Sequence, residues 1–239
     1  MLTEIKFKVM AKSKKDNHDS VENIQETLSK TEQFIEKNQK TLTIIIIAIM
    51  VIVGGYIGYK KLYLNPMKEE AYSQMYAAEK YFEVDSFYTA LNGDGNMPGF
   101  LDIIDEYGNT EAGNLAKYYA GICYLNTGDY QNAVDYLESF STDDIMLKPV
   151  SIGATGDAYL ELGDEETAID KYLEAAETNE NEFTSPFYRM KLARLYESRQ
   201  EYEKALEQYT YIKKNFKNTN EGRMIEKYII QVKMKGGIE

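Results

Sequence analysis

Apolar residues recur at three- and four-residue spacing over most of the chain, and one long stretch breaks that rule. After Ser20, the residues Val21, Ile24, Leu28, Thr31 and Ile35 form one apolar stripe among charged neighbours. This predicts a short amphipathic helix with Ser20 as its N-cap. Two heptads leave its role open between a brief coiled coil, a helix lying along a bilayer and a helix that binds a partner. Residues 42–59 then contain no charge at all and are dominated by Ile and Val. Past Asn65-Pro66 the helical spacing returns. Ala71, Met75, Ala78 and Phe82 share one face over about 67–83, and a second helix is expected over 100–107. Between them, Asn92-Gly-Asp-Gly-Asn96 has the outline of a calcium loop but lacks its bidentate Glu, so a long turn is expected.

Further on the pattern repeats itself. Residues 121–137 and 156–172 match at one spacing through Gly121/Gly156, Tyr124/Tyr159, Gly128/Gly163, Asp129/Asp164 and Ala133/Ala168. A third copy carries Ala193, Tyr196, Tyr202, Ala205 and Tyr209 at an offset two residues longer. In each copy a small residue stands three positions before a Tyr, and a second small residue follows on the next helix. Small residues facing one another let two helices approach closely. Gly128 and Gly163 fall where the first helix must stop, because Gly accepts the left-handed conformation that ends helices. The third copy has Gln200 there, so its turn is expected to be less tightly specified. Phe140 stands where the second copy has Ala175, so the first copy departs from the pattern. Pro149 and Pro186 fall at the starts of the second and third copies, where Pro is tolerated.

A period near 34 residues made of helix, turn and helix resembles the tetratricopeptide repeat (TPR), which stacks into a superhelix. The expected fold is all-α: a TPR solenoid of about three clear repeats over 114–217, a degenerate N-terminal repeat and a capping helix over 221–234. That solenoid would follow a single transmembrane helix. The expected divisions are a tail over 1–41, a membrane helix over 42–62 and a TPR domain over 63–239.

Charge and length sharpen this reading. The 18 residues of 42–59 extend about 27 Å as a helix, close to the hydrocarbon thickness. Lys40, Lys60 and Lys61 flank them, and Tyr56, Tyr59 and Tyr63 suit an interfacial belt. The run starts too late and is too long for a signal-peptide core, and no small-residue cleavage site follows. Local lysines do not orient it: Lys30, Lys37 and Lys40 precede the run, while Lys60, Lys61, Lys68 and Lys80 follow. Only the arm bearing Lys6, Lys8, Lys12, Lys14 and Lys15 favours a cytoplasmic N-terminus. That arm suits either contact with anionic lipid or a solubilising tail. Met10 is an alternative start. Gly54 and Gly58 form a Gly-x-x-x-Gly face that would admit another helix. The net charge is −12, and residues 1–41 hold eight Lys against seven acids, so the remainder carries nearly all of it. An acidic folded part argues against nucleic-acid binding.

No constellation points to catalysis. The one histidine, His18, excludes a Ser-His-Asp triad and a His-ligated metal. The one cysteine, Cys123, excludes a zinc cluster and suits a small buried position. No enzyme, cofactor or metal is therefore expected, and no small-molecule substrate. By the likeness to TPR domains, first helices line a concave groove. Its candidate residues are Leu115, Tyr118 and Ile122 in the first repeat, Gly153, Asp157 and Leu160 in the second, and Phe187, Met190 and Arg194 in the third. The Lys and Asn set that clamps carboxylates in chaperone-binding TPR modules is missing. A mixed apolar, aromatic and acidic groove suits a hydrophobic or basic peptide, and the same side chains also suit packing within the superhelix.

A short tail, one span and a TPR domain together resemble the YfgM family, ancillary subunits of the bacterial SecYEG translocon. The chain is also similar to TPR proteins of Bacteroidota through Phe-Ile-Glu-Lys-Asn-Gln-Lys (34–40), Asp-Ser-Phe-Tyr-Thr-Ala-Leu-Asn-Gly-Asp-Gly (85–95), Gly-Phe-Leu-Asp-Ile-Ile-Asp-Glu-Tyr-Gly (99–108) and Ala-Gly-Asn-Leu-Ala (112–116). The resemblance implies an inner-membrane protein with a periplasmic TPR domain, whose partners are SecYEG and a PpiD-like chaperone. The competing expectation is a structural envelope protein that self-assembles or coordinates wall synthesis or division.

Overall fold

The computed structural model describes residues 34–239. The basic arm and most of the 21–35 stripe lie outside the described residues. The chain divides into two units between Tyr63 and Leu64.

The first unit contributes helix α1, residues 34–59. Its apolar side chains lie open: Ile44 is 67% and Ile52 71% exposed. A π-helical turn, Lys60–Leu64, follows. Pro66 explains that wide turn, since it has no N–H to donate and its ring would collide with a carbonyl four residues back. The helical run Phe34–Glu83 is long and apolar enough near its start to cross a membrane, and none of its most apolar window is buried.

The second unit is built from ten helices: α2 (Asn65–Glu83), α3 (Phe87–Asn92), α4 (Phe100–Tyr107), α5 (Glu111–Thr127), α6 (Tyr130–Ser139), α7 (Leu147–Glu161), α8 (Glu165–Glu177), α9 (Thr184–Ser198), α10 (Tyr202–Asn215) and α11 (Asn220–Gly236). Helices α5–α10 form three successive hairpins, as the sequence period predicts. Side-chain caps start several of them: Thr110 Oγ1 accepts the Gly113 N–H at 3.0 Å, Asp164 Oδ1 that of Thr167 at 3.1 Å, and Thr219 Oγ1 that of Gly222 at 3.1 Å.

The hairpins close on their small residues. A Cβ at Gly121 would stand 2.6 Å from Leu137 Cγ, and one at Gly156 would stand 3.0 Å from the Tyr172 ring. Ala133, Ala168, Ala193 and Ala205 are fully buried. Gly128 and Gly163 turn the chain with φ of +84° and +82°. Gln200 adopts the same left-handed conformation, with φ of +62°. The third turn is therefore as well defined as the others and carries the strain of a side chain.

Two features depart from the expected pattern. The N-terminal part of the repeat domain is three helices rather than a two-helix repeat. Asp85, with φ of +57°, reverses the chain into α3, a helix too short to show a period. Phe82, Phe87, Phe100 and Tyr119 pack edge-on or stacked around the junction, with Phe100 and Tyr119 4.9 Å apart. In the first hairpin Phe140 ends α6 in an extended conformation. Its ring turns back to within 5.5 Å of Tyr118, which accounts for a second helix shorter than α8 or α10. In the 92–96 stretch Asp94 accepts the Asn96 and Met97 amides at 2.8 and 2.7 Å and the Tyr81 hydroxyl at 2.8 Å. These bonds hold its carboxyl below the usual range and spend it on the turn.

Two substitutions test the packing. Gln200→Gly removes a side chain from a left-handed position and is expected to raise unfolding stability by about 0.5–1 kcal/mol in urea titrations. Gly153→Ala puts a Cβ 1.9 Å from Tyr188 Cε1, and is expected to cost about 1–3 kcal/mol in the same assay through overpacking.

Candidate functional site

The curvature of the repeat domain follows from which helices meet. First helices touch their successors: α5 meets α7, α7 meets α9, and α9 meets α11. Among the described residues the second helices α6, α8 and α10 do not meet one another. First helices therefore form the inner face, and clefts open between second helices on the outer face.

Asp157 belongs to the first helix of the second hairpin. On α7 it accepts the Tyr172 hydroxyl of α8 at 2.6 Å, and both its oxygens pair with Lys191 Nζ of α9 at 2.5 and 2.7 Å. One carboxylate thus ties three helices from two repeats. Burial, and then the bond to Asp157, push the Tyr172 phenol well above its ordinary range. The arrangement recurs one repeat later, where Glu197 accepts Tyr209 at 2.6 Å and Lys235 at 2.9 Å.

Two shallow pockets adjoin this knot, of about 340 and 400 Å³, and both are lined by Asp157, Leu160 and Lys191. Leu125 and Tyr130 extend the first, Arg194 and Leu195 the second. Of the residues expected from the sequence, Asp157, Leu160 and Arg194 are therefore brought together. Arg194 also lies over the Tyr228 ring, 5.7 Å from its centroid. Phe187 is 45% exposed, and Lys191 Nζ sits 5.3 Å from its ring centroid.

The other expected groove residues are placed differently. Leu115 packs against the first core cluster. Half-buried Tyr118 lies between Tyr119 and Phe140, and burial raises its phenol. Ile122 is half-buried, and none of these three lines the two pockets. Met190 is only 6% exposed and belongs to the core shared with Ala193, Ala205 and Tyr209. Gly153 is buried under the Tyr188 ring and contributes to stacking between repeats. Sequence reading missed Lys191 and Tyr172. A usable signal existed for Tyr172, since Tyr209 repeats it at the third-copy offset.

On α1 nothing among the described residues beyond the adjoining backbone of the helix stands within 4 Å of a Cβ built at Gly54 or Gly58. Cys123 is fully buried, and burial pushes its thiol up to about 12. Among the described residues no group of three or more His, Cys, Asp or Glu is placed to hold a metal ion.

The helical hairpins, their left-handed turns and the first-helix inner face define an α-solenoid of the tetratricopeptide type. The Tetratricopeptide repeat family model matches residues 115–143, within the first of the three hairpins. Two similar solved structures carry the nearly identical TPR-like repeats of a Podosopora anserina protein named for a kinesin light chain. One is a single-substitution variant. They are 14% and 13% identical to this chain, each with a TM-score of 0.54 over 71% of this chain and 88% of theirs. Likeness at that identity is likeness of fold. No curated protein matches the sequence.

The buried phenols set an alkaline limit. Burial raises Tyr172, Tyr188 and Tyr209 above the ordinary value of 10.0, and Cys123 above 9.0. A raised native value means that the unfolded chain loses its proton first as pH rises. The stability is thus fully present below about pH 9 and is lost above it. Urea titrations are expected to show decline from about pH 9, steepening above pH 10, by up to about 1.4 kcal/mol per pH unit for each group. A flat profile to pH 11 would contradict the burial of these groups.

Proposed function

We propose that this protein is a membrane-anchored adaptor whose repeat domain docks protein partners at the periplasmic face of a bacterial inner membrane. In this reading it is an ancillary subunit of the Sec translocon that works beside a PpiD-like chaperone. TPR domains serve as protein-interaction scaffolds, and the coarse part of the proposal rests on that fold. The observation that carries the rest is the pairing of two unlike parts in one chain. One is an open apolar helix of spanning length. The other is a solenoid whose inner face holds pockets around Asp157, Leu160, Lys191 and Arg194.

A surface as apolar as α1 is expected to be covered by lipid or by another protein. The tail, the single span and the resemblance to YfgM-type proteins favour lipid and a periplasmic repeat domain. A second reading, a self-assembling envelope protein, draws on the open Gly54 and Gly58 face.

Two measurements test the proposal, and the second separates the two readings. A tag at Glu239 is expected to be protected in intact spheroplast-derived inside-out vesicles and reactive in intact spheroplasts. Affinity purification from solubilised membranes is expected to recover Sec components or a membrane-anchored chaperone. Recovery of the chain with itself alone would support the structural reading and sink the adaptor.

A further inference from the structure

The outer face carries a second set of cavities that the inner groove does not use. One of about 650 Å³ lies between α6 and α8, and the next, of about 560 Å³, lies between α8 and α10. They are the same feature one repeat apart. Ile152, Lys171 and Glu174 line the first, and 37 residues on Arg189, Gln208 and Tyr211 line the second. Their chemistry differs. The first holds Lys148 and Lys171 against Asp143, Glu138 and Glu174. The second holds Glu177, Glu180 and Glu207 against a single cation, Arg189.

That cation is largely consumed by the wall. Arg189 is 4% exposed. It donates to Gln208 at 2.8 Å and to Glu177 at 3.5 Å, and its guanidinium lies 3.6 Å from the centroid of the Tyr211 ring. Its Nε–H is the one buried side-chain polar atom among the described residues with no hydrogen-bond partner. A buried donor left unpaired costs free energy, and natural proteins rarely leave one without a use. Arg189 and Tyr196 project from the side of α9 opposite Lys191 and Arg194, so this cleft is separate from the inner pockets.

We propose that the cleft between α8 and α10 is a docking site for a lysine- or arginine-bearing segment of a partner polypeptide. A basic side chain meets the three carboxylates, of which Glu180 also accepts the Tyr211 hydroxyl and Glu177 an Arg189 N–H, beside the half-buried rings of Tyr196 and Tyr211, which favour a cation by charge and by ring quadrupole. As the segment seats, the Tyr211 ring moves off the guanidinium, and the segment's backbone carbonyl supplies the acceptor that the enclosed Arg189 Nε–H lacks. An acceptor and a cation on one ligand favour a peptide over a free polyamine, and the absence of a metal-holding group among the described residues sets aside a metal ion. The inference depends neither on the side of the membrane nor on the partner named above.

The test uses the full chain in detergent micelles and a fluorescein-labelled peptide of alternating glycine and lysine, read by anisotropy. Replacing Glu177, Glu180 and Glu207 together by Gln is expected to weaken binding about tenfold. Replacing Asp143 by Asn with Glu138 and Glu174 by Gln removes the same charge from the earlier cleft and is expected to change it less than about twofold. Thermal unfolding of both variants checks that the fold is kept, and Glu207→Gln alone, on an exposed position, is expected to weaken binding about twofold. Equal weakening by the two triple variants would overturn the site in favour of general acidity. So would an absence of binding by the unaltered chain, or spermidine competing as well as unlabelled peptide. Retained binding in a Lys191→Met variant is expected, and its loss would move the site to the inner face. Because Sec association is read separately by purification, failure of either proposal leaves the other measurable.

Discussion

Each hairpin of the repeat domain closes at a point where one helix offers almost no side chain. Leu137 occupies the space a Cβ would take at Gly121, and the Tyr172 ring would stand 3.0 Å from one at Gly156. Helix backbones that approach this closely leave little tolerance, because packed interiors are as dense as organic crystals. The approach fixes the angle within a hairpin, and the angle fixes how the next hairpin stacks. First helices then touch in series while second helices splay apart. The inner pockets and the outer clefts both follow from that one constraint.

A solenoid has no central core to hold it, since each repeat meets only its neighbours. The ties between repeats therefore carry unusual weight. Asp157 joins α7, α8 and α9 through Tyr172 and Lys191, and Glu197 joins α9, α10 and α11 through Tyr209 and Lys235. A hydrogen bond to a charged group contributes about 1.5–3 kcal/mol, more than a neutral one. The tyrosines serve twice: the ring fills the gap between helices, and the hydroxyl gives the carboxylate a second partner beside its lysine. Arg199 adds a surface clasp, pairing with Glu166 and Glu201 at 2.6 Å each, worth less because water competes for it.

The two units obey opposite rules of burial. Ile103 is 1% exposed in the repeat domain, while Ile44 and Ile52 on α1 face outward. At about 25 cal/mol per Å², leaving a stripe of isoleucine and valine in water is strongly unfavourable. The helix thus calls for an apolar surrounding that the repeat domain does not need. This contrast is physical and independent of any resemblance, and it is the ground for the tethered adaptor proposed above.

Much of this was written in local pattern. The echo of Gly128 and Gly163 with their following Asp caps, the paired Pro149 and Pro186, and the face of Ala71, Met75 and Ala78 are each set by one helix or one turn, so a period read along the chain finds them. The charge-free run of 42–59 is legible for the same reason. The tertiary structure alone decided that Phe140 folds back on Tyr118, that Met190 is core while Lys191 beside it reaches Asp157, and that Arg189 lies under Tyr211. Those outcomes depend on where a second helix lands. Crossing angle and loop length set that landing, and a shift of one residue turns a helix by about 100° and exchanges a buried side chain for an exposed one.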